Sequence, residues 1–259
     1  MIKLVASDID GTLLLNGTGS IPEKCFALID TLAKHGIRFA VASGRQYTNL
    51  RRLFAPVADD IDYICENGNL VICCGEICYK RTIERTYGAN LMRALMAIEG
   101  CEVLLSGVET CYVQPKAPDY VDHMRYFVGN DVTVVPDITD VPEEYLKISA
   151  YFKGGVPLEK VPELERLAQP LMRPVVSGLP WLDFLLEGCD KGAAMMELQK
   201  QLGISKEETM SFGDNENDIE LLLQSGVSCA MRSGNPKLHP YADYLIDDVT
   251  DFANQYLFG

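Results

Sequence analysis

The chain has 259 residues, 47% of them hydrophobic, which is enough for one large core or two smaller ones and excludes a disordered chain. A formal charge of −14 argues against nucleic acid or an anionic membrane as partner, since both require basic patches. An anionic substrate would therefore need local help from a metal ion, a lysine or a helix N-terminus.

Lys3-Leu4-Val5-Ala6-Ser7 predicts a buried strand with alternating faces, followed by Asp8-Ile9-Asp10-Gly11-Thr12, two carboxylates just ahead of a glycine-marked turn. A strand's period of two would send Asp8 and Asp10 to the same side. Like charges that close require a cation between them or a carboxyl that keeps its proton. These acids also interrupt the N-terminus too early for a secretory signal, and no apolar run reaches the length of a membrane span, so a cytoplasmic location is expected.

After the polar stretch Asn16-Gly17-Thr18-Gly19, Ser20 and Glu23 read as a capping box, with Pro22 in the first turn of a helix running to about residue 35. Cys25, Leu28, Ile29, Leu32 and Ala33 share its apolar face, and Gly36 supplies the stop. Arg38–Ala42 is then the second strand of a βαβ unit, and Ser43-Gly44-Arg45 turns the chain into a helix near Tyr47. Residues 63–66 and 70–74 flank Asn67-Gly68-Asn69 as a hairpin.

From about Thr82 the rhythm changes. Helical stretches at 90–98, 119–127 and 158–167 alternate irregularly with strands at 102–105, 111–114 and 146–152, and most of the thirteen prolines fall here, which reads as an α+β unit. After Trp181–Leu186 the βα order resumes: a helix over Lys191–Leu202, a strand at 209–212, a helix at 218–224 and a strand at 227–230. The nine cysteines are odd in number and lie mostly in apolar runs, which suits reduced, packed thiols. Cys73, Cys74 and Cys78 form the one cluster, without the downstream pair of a zinc site.

Four places carry chemistry: Asp8 with Asp10, Ser43, Lys191, and Gly213-Asp214-Asn215-Glu216-Asn217-Asp218. Three of them follow predicted strands, where open α/β sheets place ligands, and Lys191 opens a helix. Each alone has a plain structural reading as a turn, an N-cap or a solvated lysine. Together they are harder to dismiss. A cation at a helix start wants an anion nearby, and the oxygen-rich 213–218 segment suits a hard cation such as Mg²⁺.

Asp8-Ile9-Asp10-Gly11-Thr12-Leu13-Leu14, Val41-Ala42-Ser43-Gly44-Arg45, Asp190-Lys191-Gly192 and Gly213-Asp214-Asn215-Glu216-Asn217-Asp218-Ile219 resemble the four ordered motifs of the haloacid dehalogenase (HAD) superfamily. Within it, the chain is similar to the Cof-type phosphatases, which carry a large type IIB cap between the second and third motifs. The 148 residues from Ser43 to Lys191 leave room for such an insert, whereas the stretch at 16–19 is too short for a cap after the first motif.

The resemblance implies an α/β fold: a Rossmann-like, doubly wound parallel-sheet core over residues 1–81 and 185–259, with an α+β cap over 82–184. It implies a Mg²⁺-dependent phosphatase that hydrolyses phosphomonoesters of small metabolites, sugar phosphates or similar, through an aspartyl-phosphate. Asp8 would be the nucleophile and Asp10 the acid and base. Mg²⁺ would be held by the Asp8 carboxylate, the Asp10 carbonyl and the Asp214 carboxylate, with Asp218 steadying them. Ser43, Gly44, Lys191 and Asn217 would bind the phosphate.

Two departures from the family pattern stand out. Arg232-Ser233-Gly234-Asn235-Pro236 replaces a common Gly-Asn-Ala run, and Asp247-Asp248-Val249-Thr250 lacks a glycine before the last helix. A phosphotransferase such as a phosphohexomutase is the alternative function, and a phospho-ligand sensor without turnover a third. Tyr112, Tyr120, His123, Arg125 and Tyr126 are candidates to set specificity, with packing in the cap core as the competing reading. A capped site should favour small substrates, because closure excludes water.

Overall fold

The computed structural model describes residues 1–15, 19–177 and 179–259; of the predicted polar stretch at 16–19, residues 16–18 lie outside them. In chain order the elements begin with β1 (Leu4–Ser7), α1 (Glu23–Lys34), β2 (Arg38–Ala42), α2 (Tyr47–Leu53), β3 (Asp62–Cys65), β4 (Leu70–Cys73) and β5 (Glu76–Lys80). Next come α3 (Arg85–Met96), β6 (Cys101–Ser106), β7 (Cys111–Val113), α4 (Pro118–Asp122), β8 (Val132–Val134), β9 (Lys147–Phe152), α5 (Val161–Ala168), β10 (Met172–Val176) and β11 (Trp181–Leu186). The chain ends with α6 (Lys191–Leu202), β12 (Thr209–Gly213), α7 (Ile219–Leu223), β13 (Val227–Met231), β14 (Tyr244–Ile246) and α8 (Val249–Phe258).

Two compact units result. The first comprises Met1–Arg45, Leu50–Lys80 and Asp190–Gly259; the second comprises Arg81–Cys189, together with Gln46–Asn49. A boundary at 184/185 would cut β11, which runs on to Leu186 because it is the central partner of β9 and β10.

The first unit is built on one eight-stranded sheet in the order β14-β13-β12-β1-β2-β3-β4-β5, parallel from β14 to β3 and antiparallel beyond. All four residues of β1 are buried, not alternate ones, because β1 lies between β12 and β2 with helices on both faces. On one face Leu4, Ala6, Ala40, Ala42, Ile64 and Val71 pack against Ala194, Met195 and Leu198 of α6 and Leu221 of α7. On the other, Phe212 meets Phe252 of α8 edge to face, with ring centroids 6.2 Å apart. The chain leaves β1 towards β2 on one side and returns as β12 on the other. The C-terminal end of β1 is therefore the topological switch point, where such sheets hold ligands.

Helix α1 buries Cys25, Leu28, Ile29 and Leu32, but Ala33 is exposed and the capping box expected at Ser20 and Glu23 does not form. Pro22 is the N-cap; its φ of −61° and ψ of 142° hold the chain extended until Glu23, so Ser20 lies outside the helix. In α8 the missing glycine is replaced by Asp248, whose carboxylate accepts the Asp251 N–H at 3.0 Å as an N-cap.

The second unit is a six-stranded sheet in the order β10-β11-β9-β6-β7-β8, antiparallel except for β7 and β8. Leu91, Met92 and Leu95 of α3, Leu164 of α5 and alternate residues of β6, β9 and β11 form its core. Helix α3 starts five residues before the predicted 90–98, because the Glu84 carboxylate accepts the Thr86 and Tyr87 N–H groups. The expected helix at 119–127 splits into α4 and a π-helical stretch over His123–Val128, ended by Gly129 at φ 79°. Tyr120 is a core residue, its ring tilted 31° against that of Tyr151 with centroids 5.3 Å apart. His123 lies between Phe127 and Tyr151, Tyr112 donates to Glu143 at 2.7 Å, Arg125 donates to the Val132 carbonyl, and Tyr126 is exposed. Among the described residues no helix is long and apolar enough to cross a membrane.

Candidate active site

The crevice beyond β1 gathers the sequence motifs from four connections. Asp8 follows β1 and its N–H donates to the Phe212 carbonyl of β12 at 3.0 Å, which locks the two strand ends together. Asp214 follows β12, Ser43 follows β2, and Lys191 is the first residue of α6, whose N-cap Asp190 accepts the Ala193 N–H at 2.8 Å.

Lys191 is completely buried and forks onto two carboxylates, Asp8 Oδ1 and Asp218 Oδ1, each at 2.6 Å. Burial alone would lower its pKa, but Asp218 and Asp8 outweigh that and keep the ammonium charged. An ammonium has three N–H donors, so these two bonds leave a third. Burial pushes the Asp8 carboxyl well above the usual range; Lys191 opposes this, and Asp218 and Asp214 add to it. Asp214 is pushed up to about 6, by burial first and by Asp218 second. Both Asp218 oxygens are engaged, Oδ1 by Lys191 and Oδ2 by the N–H groups of Asp214 and Asn215 at 3.0 and 3.1 Å.

The carboxylates that crowd Asp8 are thus Asp214 and Asp218, and the expected crowding by Asp10 is corrected. Strand β1 ends at Ser7, so the period of two does not extend to Asp10, whose side chain is 56% exposed. Arg45 grips it through two bonds, Nη2 to Oδ1 at 2.6 Å and Nε to Oδ2 at 2.7 Å. Gly11 stands at φ +92°, and a Cβ there would collide with the Asp214 carboxylate, so only glycine lets the loop after β1 approach this acid. Thr12 donates to Asp214 Oδ1 at 3.3 Å, and the Asn235 N–H holds the Asp214 carbonyl at 2.7 Å. The departure at 232–236 therefore retains a backbone grip on the acidic loop.

Ser43 is buried and its Oγ accepts the Arg45 N–H at 3.2 Å. Asn217 is exposed and donates to Asn67 Oδ1 at 3.3 Å. Arg45 and Asn67 entered the sequence reading only as turn residues. Both carried a signal: a cation directly after the Ser43-Gly44 turn, and an amide in the polar run Glu66-Asn67-Gly68-Asn69 directly after a buried strand.

Asp8, Asp214 and Asp218 each bring a carboxylate oxygen within 4.8 Å of the other two. The buried Asp8 Oδ2 has no hydrogen-bond partner among the described residues. An all-oxygen set with an unsatisfied anionic oxygen fits a hard divalent cation such as Mg²⁺. Asp62, Cys73 and Cys74 form a second group of that kind. There Arg38 already forks onto Asp62 at 2.6 and 2.7 Å, and burial pushes the Cys73 thiol up to about 12, so little anionic charge remains to attract a cation.

A family model of the haloacid dehalogenase-like hydrolases matches residues 5–254, and the chain belongs to that family. It is a phosphatase of that family. It is similar to the 5-amino-6-(5-phospho-D-ribitylamino)uracil phosphatase YbjI of Escherichia coli K12, with 28% identity over 94% of this chain and 90% of the relative. A solved structure from Eubacterium rectale aligns over 99% of both chains, with 26% identity and a TM-score of 0.88. A sugar phosphatase of HAD subclass IIB shares the fold, with a TM-score of 0.83, 23% identity and 98% of both chains covered.

Proposed function

We propose that this phosphatase hydrolyses phosphomonoesters of small metabolites by passing the phosphoryl group to Asp8, with Mg²⁺ as cofactor. The observation that carries this reading is the Asp8 carboxylate itself: buried at the switch point, with Oδ1 fixed by Lys191 and Oδ2 uncommitted. Asp8 attacks phosphorus in line, and the bond from phosphorus to the substrate's ester oxygen breaks as the aspartyl-phosphate forms. Asp10, in its protonated form, gives its proton to that leaving oxygen. As a carboxylate it then takes a proton from the water that attacks the intermediate, which returns Asp8 and releases phosphate. Arg45 grips both Asp10 oxygens in this structure, so Asp10 leaves that ion pair before it carries a proton to the leaving oxygen.

Lys191, Ser43, the Gly44 backbone and Asn217 receive the phosphoryl oxygens, and the third N–H of Lys191 is the donor left for that task. Asp8, Asp214 and the Asp10 carbonyl would hold the Mg²⁺, with Asp218 orienting Lys191 and the 214–215 backbone. When bound, the cation neutralises charge on the phosphoryl group and on the crowded carboxylates. The chain's net charge of −14 makes this local positive charge necessary for any anionic substrate.

A panel of phosphorylated metabolites assayed with Mg²⁺ and with EDTA, alongside Asp8→Asn, tests the reading. Asp8→Asn should fold normally and lose turnover by at least about a thousandfold, because a near-isosteric amide cannot act as the nucleophile. Substantial activity in this variant would refute the mechanism. An isomerised sugar phosphate with little free phosphate would identify a phosphotransferase instead.

A further inference from the structure

Residues 66–69 link β3 to β4 beside the loop that follows β2, along an unusual backbone path. Glu66 and Asn67 are consecutive left-handed residues at φ +52° and +56°, a conformation that Asn tolerates better than most side chains. The Asn67 N–H donates to the Ser43 carbonyl at 3.0 Å and the Glu66 N–H to the Arg45 carbonyl at 3.1 Å, so the hairpin straps the chain on either side of Gly44. The buried Asn67 amide lies directly against Gly44: a Cβ there would be 3.0 Å from Asn67 Nδ2 and 3.1 Å from Oδ1. The same Oδ1 accepts from Asn217 Nδ2 at 3.3 Å. Asn67 therefore bonds to the loop after β2 through its backbone N–H and to the loop after β12 through its side-chain amide.

We propose that Asn67 is a positioning residue of the phosphate site, which aims the Asn217 amide and holds Ser43 and Gly44 where the phosphoryl oxygens are received. The proposal rests on the phosphatase reading above and on Ser43, Gly44 and Asn217 being the groups that meet phosphate. A turn that merely closed a hairpin would need no side-chain bond to a loop on the far side of β1.

The test measures hydrolysis of p-nitrophenyl phosphate with Mg²⁺, and its competitive inhibition by inorganic phosphate, in Asn67→Gly, Asn217→Ala and the double variant. Asn67→Gly keeps the left-handed backbone and deletes the amide; it should raise KM and the phosphate Ki about tenfold, the worth of one oriented hydrogen bond. The double variant should be no worse than the more impaired single, because Asn67 acts through Asn217. Multiplying effects, or an unchanged Ki in Asn67→Gly, would overturn the proposal.

If Asn67→Gly fails to fold, Asn217→Ala alone carries the test: it removes the amide that Asn67 aims and should raise KM and the phosphate Ki about tenfold, and an unchanged Ki refutes the positioning role. Wild-type protein that neither hydrolyses nor binds phosphate would overturn the phosphatase reading along with this one. Active wild type with indifferent Asn67 variants overturns the positioning role alone.

Discussion

Asp8 and Asp10 are two residues apart and share almost nothing. One is buried among Lys191, Asp214 and Asp218, and the other is half exposed and held by Arg45. Lys191 is the residue on which the buried cluster depends, because it is the buried cation between two carboxylates. Replacing it with Met keeps the bulk and deletes the charge, which should cost about 3–5 kcal/mol of stability at neutral pH, the usual consequence of leaving buried charge uncompensated. Urea unfolding without metal would measure this, and a loss below about 1 kcal/mol would mean that the cluster is wetter than its burial indicates. The individual residues of the site were largely legible in the sequence, since each motif is a short string of unusual polarity after an apolar run. Their partners were not. That Arg45 pairs with Asp10, or that Asn217 bonds to Asn67, depends on which strand ends are neighbours.

At the scale of elements, α6 shows how a local signal places a distant group. Asp190 caps its N-terminus and fixes the direction in which Lys191 leaves the first turn. Asp190→Ala should lower stability by about 1 kcal/mol through the lost cap, and should also raise the KM of phosphate esters as the lysine loses its orientation. Chemical denaturation and steady-state kinetics separate the two effects; an unchanged KM would show that Asp8 and Asp218 alone hold the lysine. The sequence predicts the interior strands well, and Arg38–Ala42 and Trp181–Leu186 match residue for residue. The unpredicted strands β5, β8, β10 and β14 are the four sheet edges. Each is half solvated, and β10 carries Pro174, so none shows the apolar run that marks a strand paired on both sides.

For the molecule as a whole, the acid cluster couples stability to metal and to pH. With its folded pKa raised to about 6, Asp214 holds a proton in the folded protein at pH values where the unfolded chain has released it. By linkage its contribution favours folding in acid, and is lost as pH rises from the ordinary carboxylate range through about 6. In EDTA, Asp214→Asn should therefore melt above the wild type at pH 7, with the gap closing towards pH 4.5. Saturating Mg²⁺ should reverse the order at pH 7, since metal at a hundred times its Kd adds about 2.7 kcal/mol to the wild type. Melting curves at the two pH values check this, and a variant that gains as much from Mg²⁺ as the wild type would exclude Asp214 as a ligand. The sequence by itself determined the α/β alternation, the insert between the second and third motifs, and the candidate site residues, because apolar periodicity and short polar strings are local properties. Tertiary structure alone decided that Asp8 is crowded by Asp214 and Asp218 and not by Asp10. It also decided that Lys191 is committed to two carboxylates, and that Asn67 joins two loops through its backbone and its side chain. Those facts follow from strand order and burial, which bring residues together across the sheet however far apart they lie along the chain.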